Sequence, residues 1–174
     1  MRVCRIGKER ARDIRLPNEP FSLWGRIVPT YDGAGWDWRL EQLPQQTQMC
    51  FPDENYDYDA MAADTVFFGA YDEKDQCVGL LLLQKGFFRY MYLYDLKVCR
   101  SHRRQGVAKA LLASAAELAR EQGYRGIYTI GQDNNASACL FYLRNGFHIG
   151  GLDTKVYNGT AQEGKADIMF YLDI

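Results

Sequence analysis

Apolar and polar positions alternate clearly only in the last two thirds of the chain. Thr65–Tyr71 and Cys77–Gln84 are β-rich runs on either side of Asp72-Glu73-Lys74-Asp75-Gln76, a polar stretch that predicts a hairpin. Tyr90–Val98, rich in aromatic residues, predicts a third strand. Over residues 105–122 the period lengthens. Val107, Ala108, Leu111, Leu112, Ala115, Leu118 and Ala119 recur at helical spacing, which predicts one helix buried along a stripe, with Gly123 as its stop. Residues 127–130 then predict a short strand. Asn134 or Asn135 can cap a second helix over Ala136–Arg144, ended by Gly146. Residues 147–150, extending toward Tyr157 after a bend, and residues 168–172 complete the expected sheet.

Residues 1–64 show no such rhythm. They hold all five prolines, at positions 17, 20, 29, 44 and 52, which predicts short helices and loops rather than long elements. A hairpin followed by strand, helix, strand, helix and strand predicts an α+β, or mixed α/β, fold with helices packed on a sheet. With 174 residues, 47% of them apolar and 25% charged, the chain fits a single domain, 1–174.

Charge and cysteine usage narrow the function classes. A net charge of -1 argues against a protein whose main task is neutralising nucleic-acid phosphates. Five cysteines, odd in number and never spaced C-x-x-C, suggest neither a disulfide framework nor a zinc site, and a reducing cytoplasm is the expected setting. Residues 78–83 are the longest apolar run, far too short for a membrane span. Locally the charge is uneven. Residues 1–30 are basic, whereas in residues 31–64 eight carboxylates face only Arg39. Asp53-Glu54-Asn55-Tyr56-Asp57-Tyr58-Asp59, with Tyr31, Trp36 and Trp38 upstream, alternates carboxylates with aromatic rings. That composition suits a polycationic ligand, and equally a solvated acidic surface.

Arg103-Arg104-Gln105-Gly106-Val107-Ala108 lies where a strand gives way to a helix. The first turn of a helix leaves N–H groups without intrahelical partners and carries partial positive charge, so it attracts a phosphate oxyanion. Gly106 and Ala108 allow close approach, and Arg103, Arg104 and Lys109 add charge. No Walker loop or G-x-G-x-x-G occurs. The alternative is a basic, exposed helix start that binds nothing.

This turn resembles the Q/R-x-x-G-x-G/A cofactor turn of the GCN5-related N-acetyltransferase (GNAT) superfamily, and residues 135–147 resemble the family's N-x-x-A-x-x-x-Y-x-x-x-G-F. Together the two motifs place the resemblance over residues 65–174. It implies a twisted, mostly antiparallel sheet of about six to seven strands with about four helices, split in a V between the strands at 90–98 and 127–130. It also implies that acetyl-CoA is the acetyl donor, with no metal. The pantetheine would pair with the backbone of Leu96 and Val98, the pyrophosphate would sit on Arg103, Arg104, Gln105, Gly106, Val107, Ala108 and Lys109, and Asn135 would bond the pantetheine arm. Residues 1–64 would shape the acceptor site.

Acetylating an amine requires a neutral nucleophile and a proton for the leaving thiolate. Tyr142 stands where the family places its phenolic acid; otherwise it is an aromatic of the helix–sheet interface. Asp95, interrupting the aromatic strand, is the candidate base or ammonium holder, or else a structural ion-pair partner. Cys139, His102 and His148 fit neither nucleophile nor metal-ligand roles. The segments at 132–142 and 151–157 resemble the streptothricin acetyltransferase branch, which implies a cationic acceptor with a β-lysine amine, bound by Asp95, Glu54, Asp57 and Asp153. Protein lysines or N-termini, polyamines, or a non-catalytic acetyl-CoA-binding module remain alternatives. A homodimer stays open.

Overall fold

The computed structural model describes residues 1–86 and 88–174. Among them lie nine strands, β1 (Arg2–Arg5), β2 (Phe21–Tyr31), β3 (Trp36–Met49), β4 (Thr65–Tyr71), β5 (Cys77–Gln84), β6 (Tyr90–Val98), β7 (Gly126–Gln132), β8 (His148–Asp153) and β9 (Asp167–Asp173). Three α-helices accompany them, α1 (Tyr58–Met61), α2 (Val107–Glu121) and α3 (Ala136–Arg144), with 3-10 turns at Lys8–Arg15 and Arg100–His102. The chain forms two compact units. One contains Met1–Glu19, Phe51–Ile127 and Ile174; the other contains Pro20–Cys50 and Tyr128–Asp173.

In the first unit the strand order is β1-β4-β5-β6, each pair antiparallel. β5 explains the uninterrupted run Leu80-Leu81-Leu82-Leu83: all four are fully buried. Leu80 and Leu82 pack with Ile6, Ile14, Tyr56 and Phe67. On α2 the predicted stripe is buried as Val107, Leu111, Leu112, Ala115, Leu118 and Ala119. Each larger apolar side chain removed from water contributes about 1.5–3 kcal/mol. α2 approaches β5 closely at its start, because a Cβ on Gly79 would lie 2.8 Å from Val107 Cγ1.

α2 starts two residues later than the sequence predicts. Arg104 (φ 59°) and Gly106 (φ 83°) are left-handed, so neither they nor Gln105 between them can extend a right-handed helix.

In the second unit β8 and β9 pair antiparallel and the strand order is β7-β9-β8. α3 spans the predicted residues, and of the two candidate caps it is Asn135 whose side chain accepts from Ala138 N–H at 3.2 Å. β8 ends at Asp153, and the stretch from 154 to 166 is turns, so the expected extension to Tyr157 is not strand.

The largest departure from the sequence analysis is in the proline-rich region. In place of short irregular pieces, β2 and β3 form an antiparallel ribbon in register from Phe21↔Met49 to Tyr31↔Trp36. Backbone geometry shows how the ribbon accommodates its prolines. Ile27 N–H donates outward to Asp133 O at 2.9 Å, and Pro29, two residues on, presents its missing N–H to that same outer side. Pro44 falls in the register shift where Trp24 opposes residues 43–46.

Candidate functional site

β6 carries a bulge. Leu82 pairs with Asp95 and Leu83 with Leu93, so Tyr94 is the extra residue, immediately before Asp95. Asp95 and Lys97 are then on one face of the strand, as residues two apart must be. Lys97 Nζ lies 3.1 Å from Asp95 Oδ2, 2.7 Å from Glu54 Oε2 and 3.2 Å from Asn18 Oδ1. Tyr56 O–H donates to the same Asp95 Oδ2 at 3.2 Å, and the Lys97 ammonium sits 5.4 Å from the Tyr56 ring centroid. Asn18 also donates to Glu54 Oε1 at 2.9 Å.

Burial sets the electrostatics of this network. Asp95 is largely desolvated, which pushes its carboxyl above the ordinary value although Lys97 pulls the other way. Burial opposes ionisation of Glu54 too, but hydrogen bonds from Lys97 and Asn18 outweigh it and hold that carboxyl below its usual range. Burial beside Asp95 raises the Tyr56 phenol far above its ordinary value. Asp95 Oδ1 accepts no hydrogen bond from the described residues, so one oxygen of the pair is anchored and the other is left to accept.

Other acidic residues singled out above have structural partners. Asp57 caps α1 by accepting from Ala60 N–H at 3.0 Å. Asp53 accepts from Asn18 N–H at 2.6 Å, and Asp59 pairs with Lys8 at 2.8 Å. Asp153 accepts from the N–H groups of Lys155 and Val156, closing the turn after β8.

At the turn before α2, Gly106 provides the test of fit for a phosphate. A Cβ there would meet no atom within 4 Å, so the turn is open on that side. Val107, Ala108 and Lys109 supply the first-turn N–H groups of α2. Arg104 and Lys109 are exposed and take no hydrogen bond or ion pair among the described residues. Arg103 is directed elsewhere: its Nε donates to Val98 O at 2.9 Å and its Nη2 lies 3.4 Å from Glu19. Gln105 bonds Ser101 O. Along β6, Cys99 N–H donates to Val78 O in β5, so by strand alternation the backbone groups of Leu96 and Val98 point away from β5. These groups fit the phosphate and amide parts of a coenzyme A.

In the second unit Tyr142 is buried in α3, with its ring 5.3 Å from Phe147 and 5.4 Å from Phe170. The Asn135 side chain is engaged through Oδ1 as the cap of that helix. Cys139 is fully buried and its thiol is pushed up to about 12, mainly by desolvation, which leaves it unreactive.

Sequence reasoning missed Lys97 and Asn18, and took Tyr56 only as one of the aromatic rings of the acidic segment, not as a partner of Asp95. Lys97 had a usable signal, since its spacing of two from Asp95 puts both on one strand face. The contacts of Tyr56 and Asn18 are long-range and leave none.

Residues 34–147 match the Acetyltransferase (GNAT) family. Streptothricin acetyltransferase A of Bacillus subtilis (strain 168) is 29% identical over 160 residues, 92% of each chain. A candidate streptothricin acetyltransferase from Bacillus anthracis str. Ames, solved with acetyl coenzyme A, superposes with a TM-score of 0.88 at 25% identity, covering 99% of this chain and 98% of that one. A nourseothricin acetyltransferase structure gives 0.80 at 28% identity, covering 99% and 97%. With the matching family pattern spread over well over half its length, this chain belongs to the GNAT family and is an acetyl-CoA-dependent N-acetyltransferase.

Proposed function

We propose that the enzyme acetylates a primary amine of a cationic small molecule, the β-lysine amine of a streptothricin, and so inactivates the antibiotic. The observation that carries this reading is Asp95, a desolvated carboxylate with one oxygen anchored by Lys97 and Tyr56 and the other without a hydrogen-bond donor. An ammonium group supplies that donor. The similarity to streptothricin acetyltransferase A over 92% of the chain supports the choice of acceptor.

Acetyl-CoA supplies an acetyl group activated as a thioester. In this proposal the turn at Arg103, Arg104, Gln105, Gly106, Val107, Ala108 and Lys109 holds its pyrophosphate, and Leu96, Val98 and Asn135 hold its amide arm. Asp95 binds the acceptor ammonium and takes its proton, leaving a neutral amine to attack directly. Tyr142 gives a proton to the departing sulfur as the C–S bond breaks and regains one as the former amine nitrogen sheds its second proton, so the products are an amide and a free thiol, with the proton on Asp95 released to solvent. Glu54 fixes Lys97 and thereby Asp95, while Asp57 and Asp153 shape the edges of their loops within the acceptor-binding region. Residues 1–64 set acceptor choice.

Purified enzyme given acetyl-CoA and a streptothricin is expected to release CoA and to increase the antibiotic's mass by one acetyl group. Absence of turnover with streptothricin, alongside turnover of a peptide or polyamine, overturns the choice of acceptor.

A further inference from the structure

The bulge in β6 brings residues to one side of the sheet that strict alternation would separate. Leu82 pairs with Asp95 and Gln84 with Tyr92, and residues directly opposite in a ladder share a face. Tyr92 and Asp95 therefore stand on the same face although they are three apart. Without the extra residue Asp95 would lie on the other face, which α2 covers where Gly79 approaches Val107. The extra residue, Tyr94, joins them. Its ring centroid is 5.8 Å from that of Tyr92 and 6.0 Å from that of Tyr56, whose hydroxyl holds Asp95. Tyr94 is 45% exposed, in a strand whose Met91 and Leu93 are buried.

One ammonium group is already held here, by a carboxylate and a ring together. Lys97 Nζ lies 3.1 Å from Asp95 Oδ2 and 5.4 Å from the centroid of the Tyr56 ring. The matching half of this arrangement is open. Among the described residues Asp95 Oδ1 takes no donor, and no cation stacks on Tyr94. The rings of Tyr92 and Tyr56 meet that of Tyr94 at 87° and 63°, edge contacts that brace it while leaving it exposed. An aromatic face attracts a cation through its quadrupole, more strongly where water is partly excluded. A neutral amine gains little from a ring face or a carboxylate. The pair thus selects acceptors that arrive protonated, as an alkyl amine does at neutral pH and an aryl amine does not.

We propose that Tyr94 is a specificity-determining residue of the acceptor site, its ring and Asp95 Oδ1 together binding the acceptor as an alkyl ammonium ion, as Tyr56 and Asp95 Oδ2 bind Lys97. This role rests on the proposed binding of the acceptor ammonium by Asp95. Steady-state kinetics with acetyl-CoA and a streptothricin test it. Tyr94→Leu is expected to raise KM for the antibiotic about five- to tenfold, with kcat and KM for acetyl-CoA changed less than about twofold. Tyr94→Phe keeps the ring and should hold KM for the antibiotic within about twofold of the unmodified protein. Adding one, two and then three fluorines to the ring of Tyr94→Phe draws charge from its face and should raise that KM step by step, which a ring that only packs would not do. Far-UV circular dichroism confirms that each variant folds. A KM unchanged in Tyr94→Leu, or indifferent to fluorination, while Asp95→Asn still loses turnover, overturns the role of Tyr94 alone. Full turnover in Asp95→Asn overturns the proposed role of Asp95, and no turnover in the unmodified protein overturns the choice of acceptor; the role of Tyr94 falls with either.

Discussion

Asp95 and Lys97 hold opposite charges 3.1 Å apart on one face of β6, just after the bulge at Tyr94. The pairing restrains the carboxylate through one oxygen without neutralising the effect of burial, and the Asp95 carboxyl remains above its ordinary value. A carboxylate in this setting retains more proton affinity than an exposed aspartate, which suits the removal of an ammonium proton proposed for it.

The first prediction concerns pH. As the proposed base, Asp95 would work deprotonated, so kcat/KM should rise with pH through its folded pKa, on a limb above the usual aspartate range. Asp95→Asn should remove the limb and lower kcat by about 10²–10⁴-fold. Lys97→Met deletes the charge that lowers this pKa, so the limb should move to higher pH. The stability sign follows from the same shift. A carboxyl raised on folding contributes stability below its unfolded pKa and loses it as pH rises through the folded one. The unmodified protein should therefore lose stability relative to Asp95→Asn as pH rises through that limb, as urea unfolding measures. A pH profile identical in the unmodified protein and Lys97→Met would remove Lys97 from this role.

Tyr142 is surrounded by Phe141, Phe147 and Phe170, so its ring has a packing role whatever its hydroxyl does. Tyr142→Phe separates the two. The ring contacts survive, so the melting temperature and acetyl-CoA affinity should stay near those of the unmodified protein, while kcat falls by about 10²-fold or more if the hydroxyl supplies the proton. Unchanged kcat would assign Tyr142 to packing alone.

Much of the fold outside the β2–β3 ribbon was legible because its signals are local. The run Leu80-Leu81-Leu82-Leu83, the helical stripe of α2 and the Asn135 cap each state their element within a few residues. The ribbon was not legible. Its prolines argue against strands unless the direction in which each backbone points is known, and only the contact between Ile27 and Asp133 supplies that direction. The acidic segment misled for a related reason. Sequence shows eight carboxylates and one arginine between residues 31 and 64, but Lys97, Lys8 and Asn18, all outside that window, partner Glu54, Asp59 and Asp53.

Gly106 adopts φ 83° in open space. Gly106→Ala therefore meets no clash, and its cost is conformational, about 1–2 kcal/mol for a left-handed alanine. A turn relaxing toward the right-handed region would reorient the amides of Val107 and Ala108. The expected result is a several-fold rise in KM for acetyl-CoA at little change in KM for the acceptor. A rise confined to the acceptor would place the phosphate elsewhere.

Asp133 joins three segments of the second unit. Its carboxylate accepts from Arg26 and, at 3.0 Å, from Ala166 N–H, while its backbone bonds Ile27 and Ala166. The Asp133 side chain is 2% exposed and that of Arg26 37%. Asp133→Ala would strand a guanidinium whose Nε already lacks a partner, and leave the Ala166 N–H without its acceptor. Breaking a fully buried pair costs about 3–5 kcal/mol, and the partial exposure of Arg26 puts this one near or below the lower end. Arg26→Met should be costly as well, because it leaves the carboxylate buried with only a backbone donor. The double variant removes both charges, so it should be less destabilised than the two single changes added together. Urea unfolding of the four proteins measures that difference. Strict additivity would mean that the pair is held by the packing around it and contributes no coupling of its own.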